Sequence, residues 1–170
     1  MNTASKLHFD MLKKVVSKLT PSLREKIVFV GGCTTCLFVD DVSQEDIRST
    51  EDVDLIISVL THGEYRHFQE ELKSCGFKEL GLEDEDGPIC RMKLENILID
   101  LMPTNAILGF ENKWYPIAFD TAENYPLDKF IIKLIHPIYF LATKFEAYNN
   151  RGNRDILGSK DLEDILIVLD

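Results

Sequence analysis

Apolar and polar positions alternate along this chain in short blocks, and their spacing predicts most of its elements. From 4 to 19, Leu7, Met11, Val15 and Leu19 recur at helical spacing with lysines between them, an amphipathic helix that Pro21 ends. Ile27 to Val30 is an unbroken apolar run, too short for a helix, and reads as a buried strand that stops at Gly31-Gly32. A helix is expected from about Cys33 to Val39, then a polar loop over 40–50 and a second apolar strand, Val53 to Val59. Glu64 to Ser74 returns to helical period with Phe68 and Leu72 inward, and Cys75-Gly76 closes it with a glycine cap. Phe77 to Leu80 reads as a strand and 81–87 as an acidic turn, while Ile89–Leu94 and Asn96–Leu101 read as strands paired across Glu95-Asn96. The stretch after Pro103, with the only Trp, Trp114, reads as loop-rich. Phe130 to Ile135 gives a further strand, and Pro137 suits the first position of a helix running to about Tyr148. Ser159 caps a last helix whose first turns carry Asp161 and Glu163, where the helix dipole favours acids. Strands interleaved with helices predict a mixed, twisted sheet flanked by helices, α/β or α+β in class.

Composition narrows the setting. At 170 residues and 45% hydrophobic, the chain is expected to be one domain with a substantial core, its C-terminal helical part at about 137–170. No apolar stretch approaches the roughly 20 residues that span a bilayer, and the N-terminus lacks the apolar segment of a secretory signal. A cytoplasmic location without a membrane partner is the expectation. The net charge of −10 argues against a non-specific nucleic-acid coat, which needs clustered Lys and Arg. Acids crowd residues 40–54, with seven against the single Arg48, and 83–86 read Glu-Asp-Glu-Asp; most are read as solvated surface.

The candidate chemistry lies in the strands. Asp52 and Asp54 are two apart within Thr50-Glu-Asp-Val-Asp-Leu-Ile56, so both project from one face, near a glycine turn where backbone can approach a ligand closely. Such carboxylates can seat a divalent cation and the phosphates it carries. Ile97-Leu-Ile-Asp100-Leu-Met102 sets a third acid in an apolar strand, where an unpaired carboxylate would cost several kcal/mol by order of magnitude and therefore needs a partner, metal among the candidates. Carboxylates from neighbouring strands are what phosphoryl-transfer enzymes use to hold Mg²⁺. Cys33-Thr-Thr-Cys36 has the spacing of a redox motif after a strand, but small packing residues explain it better, since redox chemistry accounts for neither the glycines before it nor the acids after it.

The ordered set of glycine turn, Asp-x-Asp and apolar-Asp-apolar resembles the nucleotidyltransferase fold of polymerase-beta-like enzymes. More narrowly, the chain is similar to the AbiEii/AbiGii toxin family, through Gly31-Gly32, Arg48-Ser-Thr-Glu-Asp52-Val-Asp54-Leu, Ile99-Asp100-Leu, Tyr139-Phe-Leu-Ala-Thr-Lys144-Phe-Glu-Ala147 and Ser159-Lys-Asp161-Leu-Glu-Asp164-Ile. The resemblance implies that Gly31 and Gly32 cradle nucleotide phosphates, with the hydroxyls of Thr34 and Thr35 nearby. It implies that Asp52, Asp54 and Asp100 bind Mg²⁺ or Mn²⁺, Asp100 also helping to deprotonate the acceptor. Lys144 would neutralise the triphosphate, and Asp161 and Asp164 would line the nucleotide site; for Asp161, helix-start stabilisation is the competing role. Cys33 stands where many relatives have a serine.

The implied function is transfer of a nucleoside monophosphate from an NTP to an acceptor hydroxyl on RNA, in particular a tRNA 3′ end, or on protein. The setting implied is a toxin-antitoxin or phage-defence system with a cognate antitoxin. Two alternatives stay open: nucleotidylation of an antibiotic (aminoglycoside or lincosamide), and a non-catalytic nucleotide-binding module. A basic face for RNA would have to come from Lys129, Lys133, Lys144, Arg151, Arg154 and Lys160.

Overall fold

A computed structural model describes residues 3–39, 47–80, 87–150 and 158–169. The acidic segments 40–46 and 81–86, and with them the expected turn, lie outside the described residues, as do Arg151 and Arg154. The helices are α1 (Thr3–Lys18), α2 (Pro21–Glu25), α3 (His62–Ser74), α4 (Tyr115–Asp120), α5 (Pro137–Asn150) and α6 (Lys160–Leu169). The strands are β1 (Ile27–Val30), β2 (Asp52–Ile57), β3 (Lys78–Glu79), β4 (Arg91–Leu94), β5 (Ile97–Pro103), β6 (Glu123–Leu127) and β7 (Phe130–Leu134). They form a mixed sheet in the order β3-β4-β5-β2-β1-β7-β6. The β1–β2 pair is antiparallel, whereas β2–β5 and β1–β7 are parallel. No described helix is long and apolar enough to cross a membrane.

The sheet faces differ, and that difference places the site. One face is apolar throughout: Phe29, Leu55, Ile57, Ile99 and Leu101 pack with Leu12 and Val15 of α1 and with Phe68 and Leu72 of α3. On the other face Val28, Val30 and Ile56 meet Ala118 of α4 and Phe140 of α5. Alternation along β2 puts Asp54 and Asp52 on this second face, in line with Ile56. Half of that face is therefore a small core, and the rest carries carboxylates.

Local expectations fare unevenly. The β1, β2, α3, α5 and α6 predictions hold to within a few residues, and Gly76 takes φ +95° after the α3 cap. Of the stripe assigned to α1, Met11, Val15 and Leu19 are buried as expected, while Leu7 is 45% exposed and the buried face also takes in Ser5, His8, Leu12 and Val16. Pro21 does not merely end α1, since Thr20 caps the short α2 that Pro21 opens. The helix expected after the glycines is a 3-10 segment, Gly32–Leu37. The region read as loop holds α4 and β6, a polar edge strand whose Pro126 is tolerated because only β7 pairs with it.

Candidate functional site

The site follows from strand register. In the parallel β2–β5 ladder Asp54 lies directly across from Asp100, and Asp52 precedes Asp54 on the same face. In the antiparallel β4–β5 hairpin Arg91 lies opposite Asp100. Its guanidinium grips that carboxylate with two bonds, Nε to Oδ1 at 2.7 Å and Nη2 to Oδ2 at 2.8 Å, and Nη2 also reaches Asp52 Oδ2 at 3.5 Å. The Thr50 hydroxyl donates to the other Asp52 oxygen. The paired carboxylate holds the Arg91 pKa well above its usual value. All these side chains border a cleft of about 390 Å³ that also meets Gly32, Arg48 and Lys144.

The double glycine has a steric cause. Gly31 adopts φ +81°, and a Cβ there would stand 1.8 Å from Asp54 Oδ2. A Cβ on Gly32 would come within 2.9 Å of Arg48 Nη2 and 3.2 Å of Asp164 Oδ2. The glycines thus let site side chains lie against the backbone of the turn. The threonine hydroxyls are a correction to the expectation that they stand available for phosphates. Thr34 and Thr35 are fully buried, and the Thr34 hydroxyl donates to the Gly31 carbonyl at 2.8 Å. Neither borders the cleft.

Behind the cleft lies a buried ion network. Lys144 Nζ on α5 is 2.7 Å from Asp164 Oδ2 and 3.2 Å from Asp161 Oδ1, both on α6. Arg48 Nη2 is 3.2 Å from the same Asp164 oxygen. Asp161 and Lys144 border the cleft. Lys144 is therefore already partnered by acids, and Asp161 does more than start its helix.

The sequence gives no role to His8 or Arg91, and marks Arg48 only as the lone cation among acids and as part of a motif. His8 is buried, and its Nε2 accepts the Thr50 N–H at 3.0 Å, so the helix α1 steadies the loop that leads into Asp52. The signal for Arg91 was present: it and Asp100 stand equally far from the Glu95-Asn96 turn, so a hairpin with that turn must set them opposite each other. The cysteines are free and Cys33, Cys36 and Cys90 are buried, with burial pushing the Cys36 thiol up to about 12, so the motif packs and is not poised for thiolate chemistry.

Oxygen donors on one face suit a hard cation such as Mg²⁺ or Mn²⁺. Asp52 and Asp54 carry such donors, but Arg91 binds both oxygens of Asp100 and reaches one of Asp52, Thr50 donates to the other, and among the described residues no three Asp, Glu, His or Cys side chains are arranged to hold one ion. The expected three-aspartate seat is thus corrected: the acids share one face and are of the right chemistry, but Asp52 and Asp100 open to an ion only with Arg91 moved aside.

No protein-family model matches the sequence, and no curated protein matches it. Among solved structures, an antigenic nucleotidyltransferase-like protein from Paracoccidioides brasiliensis aligns with TM-score 0.63 at 25% identity, covering 94% of this chain and 76% of its own. The antibiotic-resistance factor ANT(2'')-Ia aligns with TM-score 0.52 at 13% identity, covering 96% of this chain and 83% of its own. The fold of this chain is nucleotidyltransferase-like.

Proposed function

We propose that the protein is a metal-dependent nucleotidyltransferase that moves a nucleoside monophosphate from an NTP to an acceptor hydroxyl. The observation that carries this reading is the ladder aligning Asp52, Asp54 and Asp100 on one face beside the Gly31-Gly32 turn, at an open cleft. Likeness to a nucleotidyltransferase-like protein supports it. On this reading Asp52, Asp54 and Asp100 would hold Mg²⁺ or Mn²⁺, which offsets triphosphate charge when bound. The backbone of Gly31 and Gly32 faces the phosphates, Arg48 and Lys144 add positive charge, with Asp161 and Asp164 orienting Lys144, and Asp100 accepts the acceptor's proton. The acceptor is RNA, in particular a tRNA 3′ end, or a protein side chain, and the setting is a toxin with a cognate antitoxin, as the AbiEii/AbiGii resemblance implies. Aminoglycoside nucleotidylation is the second reading, favoured by the fold shared with an antibiotic-resistance factor.

The test is incubation with each α-labelled NTP, Mg²⁺ and cell extract, followed by separation of labelled RNA, protein and small molecules. Asp54→Asn is expected to lower transfer by about a hundredfold or more. Unchanged transfer in that variant would overturn the proposal. Bound NTP without pyrophosphate release from any acceptor pool would point instead to a non-catalytic module.

A further inference from the structure

Arg91 is a structural oddity at a site read as binding a divalent cation, because it puts a permanent positive charge where that cation's third ligand should be. The pairing is built into the hairpin. Met92 and Leu94 lock β4 into the core against Ile99 and Ile97, so the register that seats them also sets Arg91 across from Asp100. The contact is a two-pronged, charge-assisted one at 2.7 and 2.8 Å, with the Asp100 side chain only 11% exposed. The same guanidinium extends to Asp52 on the neighbouring strand. It therefore spans the carboxylates that a shared ion would span, and offsets their mutual repulsion in the ion's place. Arg91 also borders a second hollow of about 650 Å³, whose lining includes Arg66, Glu70 and Glu79.

We infer that Arg91 is an internal competitor for the divalent cation, setting the metal affinity of the site by occupying Asp100 and Asp52 until it swings aside. This deepens the nucleotidyltransferase reading and rests on its assignment of the acids as metal ligands. The consequence is quantitative. A ligand that needs a minor state binds more weakly by the fraction of time that state is populated. If the guanidinium leaves Asp100 about a tenth of the time or less, removing it tightens cation binding by roughly tenfold or more. The direction distinguishes this role from a scaffolding one. An arginine that merely holds β4 to β5 would, when lost, loosen the acids and weaken the cation's hold.

The experiment is direct titration of the full chain with Mn²⁺, without nucleotide, reading free Mn²⁺ by electron paramagnetic resonance. Arg91→Gln is expected to bind Mn²⁺ about tenfold or more tightly than the native chain. Arg91→Lys, which keeps a charge but not the fork, is expected to fall between, and it carries the test if Arg91→Gln does not fold by its melting curve. Adding Asp52→Asn to Arg91→Gln should abolish the gain, and a gain that survives it would overturn the inference. Equal or weaker Mn²⁺ binding in Arg91→Gln overturns the inference while leaving metal-dependent transfer standing, provided the native chain binds. No Mn²⁺ bound by either chain overturns both.

Discussion

His8 shows how a single buried side chain records the demands of the site. It is 0% exposed, its Nε2 accepts the Thr50 N–H, and the neutral ring therefore carries its proton on Nδ1, which has no hydrogen-bond partner among the described residues. Burial first, and Arg48 second, lower its pKa below the ordinary 6.5, against the opposing pull of Asp164 and Asp52. The native state thus resists protonation that the unfolded chain accepts. The stability this residue contributes is present above about pH 6.5 and is lost as pH falls through that value toward the folded pKa. His8→Gln keeps an acceptor for Thr50 and does not titrate. Urea midpoints at pH 7.5 and 5.5 should fall further for the native chain than for this variant, and parallel profiles would contradict the argument. A histidine among helical lysines gave no hint of this, because its significance depends on a loop some forty residues away. Asp52, Asp54 and Asp100 were legible for the opposite reason: a carboxylate inside an apolar strand is costly and calls for an explanation.

At the level of elements, legibility tracked burial. The central strands announce themselves as apolar runs, because β1, between β2 and β7, is covered on both faces. The peripheral pieces do not: α4 is six residues long, β6 is largely exposed, and each gives the core one buried residue, Ala118 and Leu127, too few to set a pattern. α3 was recognised from Phe68 and Leu72, but its beginning was placed late, because the cap lies in side-chain bonds and not in apolar spacing. Thr61 Oγ1 accepts the Glu64 N–H at 3.1 Å, and a Glu64 carboxylate oxygen accepts the Thr61 N–H at 3.0 Å, a reciprocal capping box. Thr61→Ala is expected to cost about 1 kcal/mol, read as a lower denaturant midpoint with unchanged slope. Thr61→Ser should recover most of it. A loss of similar size in both variants would mean that the threonine methyl, and not the cap, is what matters.

Across the whole molecule the ion network ties together segments that the sheet alone leaves separate. Lys144 on α5, Asp161 and Asp164 on α6, and Arg48 in the loop before β2 meet above the glycine turn. Asp161 and Asp164 are 3% and 2% exposed, so their charges have little water to fall back on. Breaking such a buried pair by removing one partner typically costs about 3–5 kcal/mol, whereas replacing both by apolar groups can be nearly neutral. Lys144→Met should therefore cost at most about that much, since Arg48 still faces Asp164, and even so a large share of the roughly 5–15 kcal/mol that holds a domain together. Adding Asp164→Leu should give back part of the loss, leaving the double variant more stable than the sum of its parts by about 1 kcal/mol or more in a double-mutant cycle. Additive losses would mean the network is held by its surroundings and not by mutual charge. Because the same lysine borders the cleft, the proposed transfer is to be compared per folded molecule in these variants.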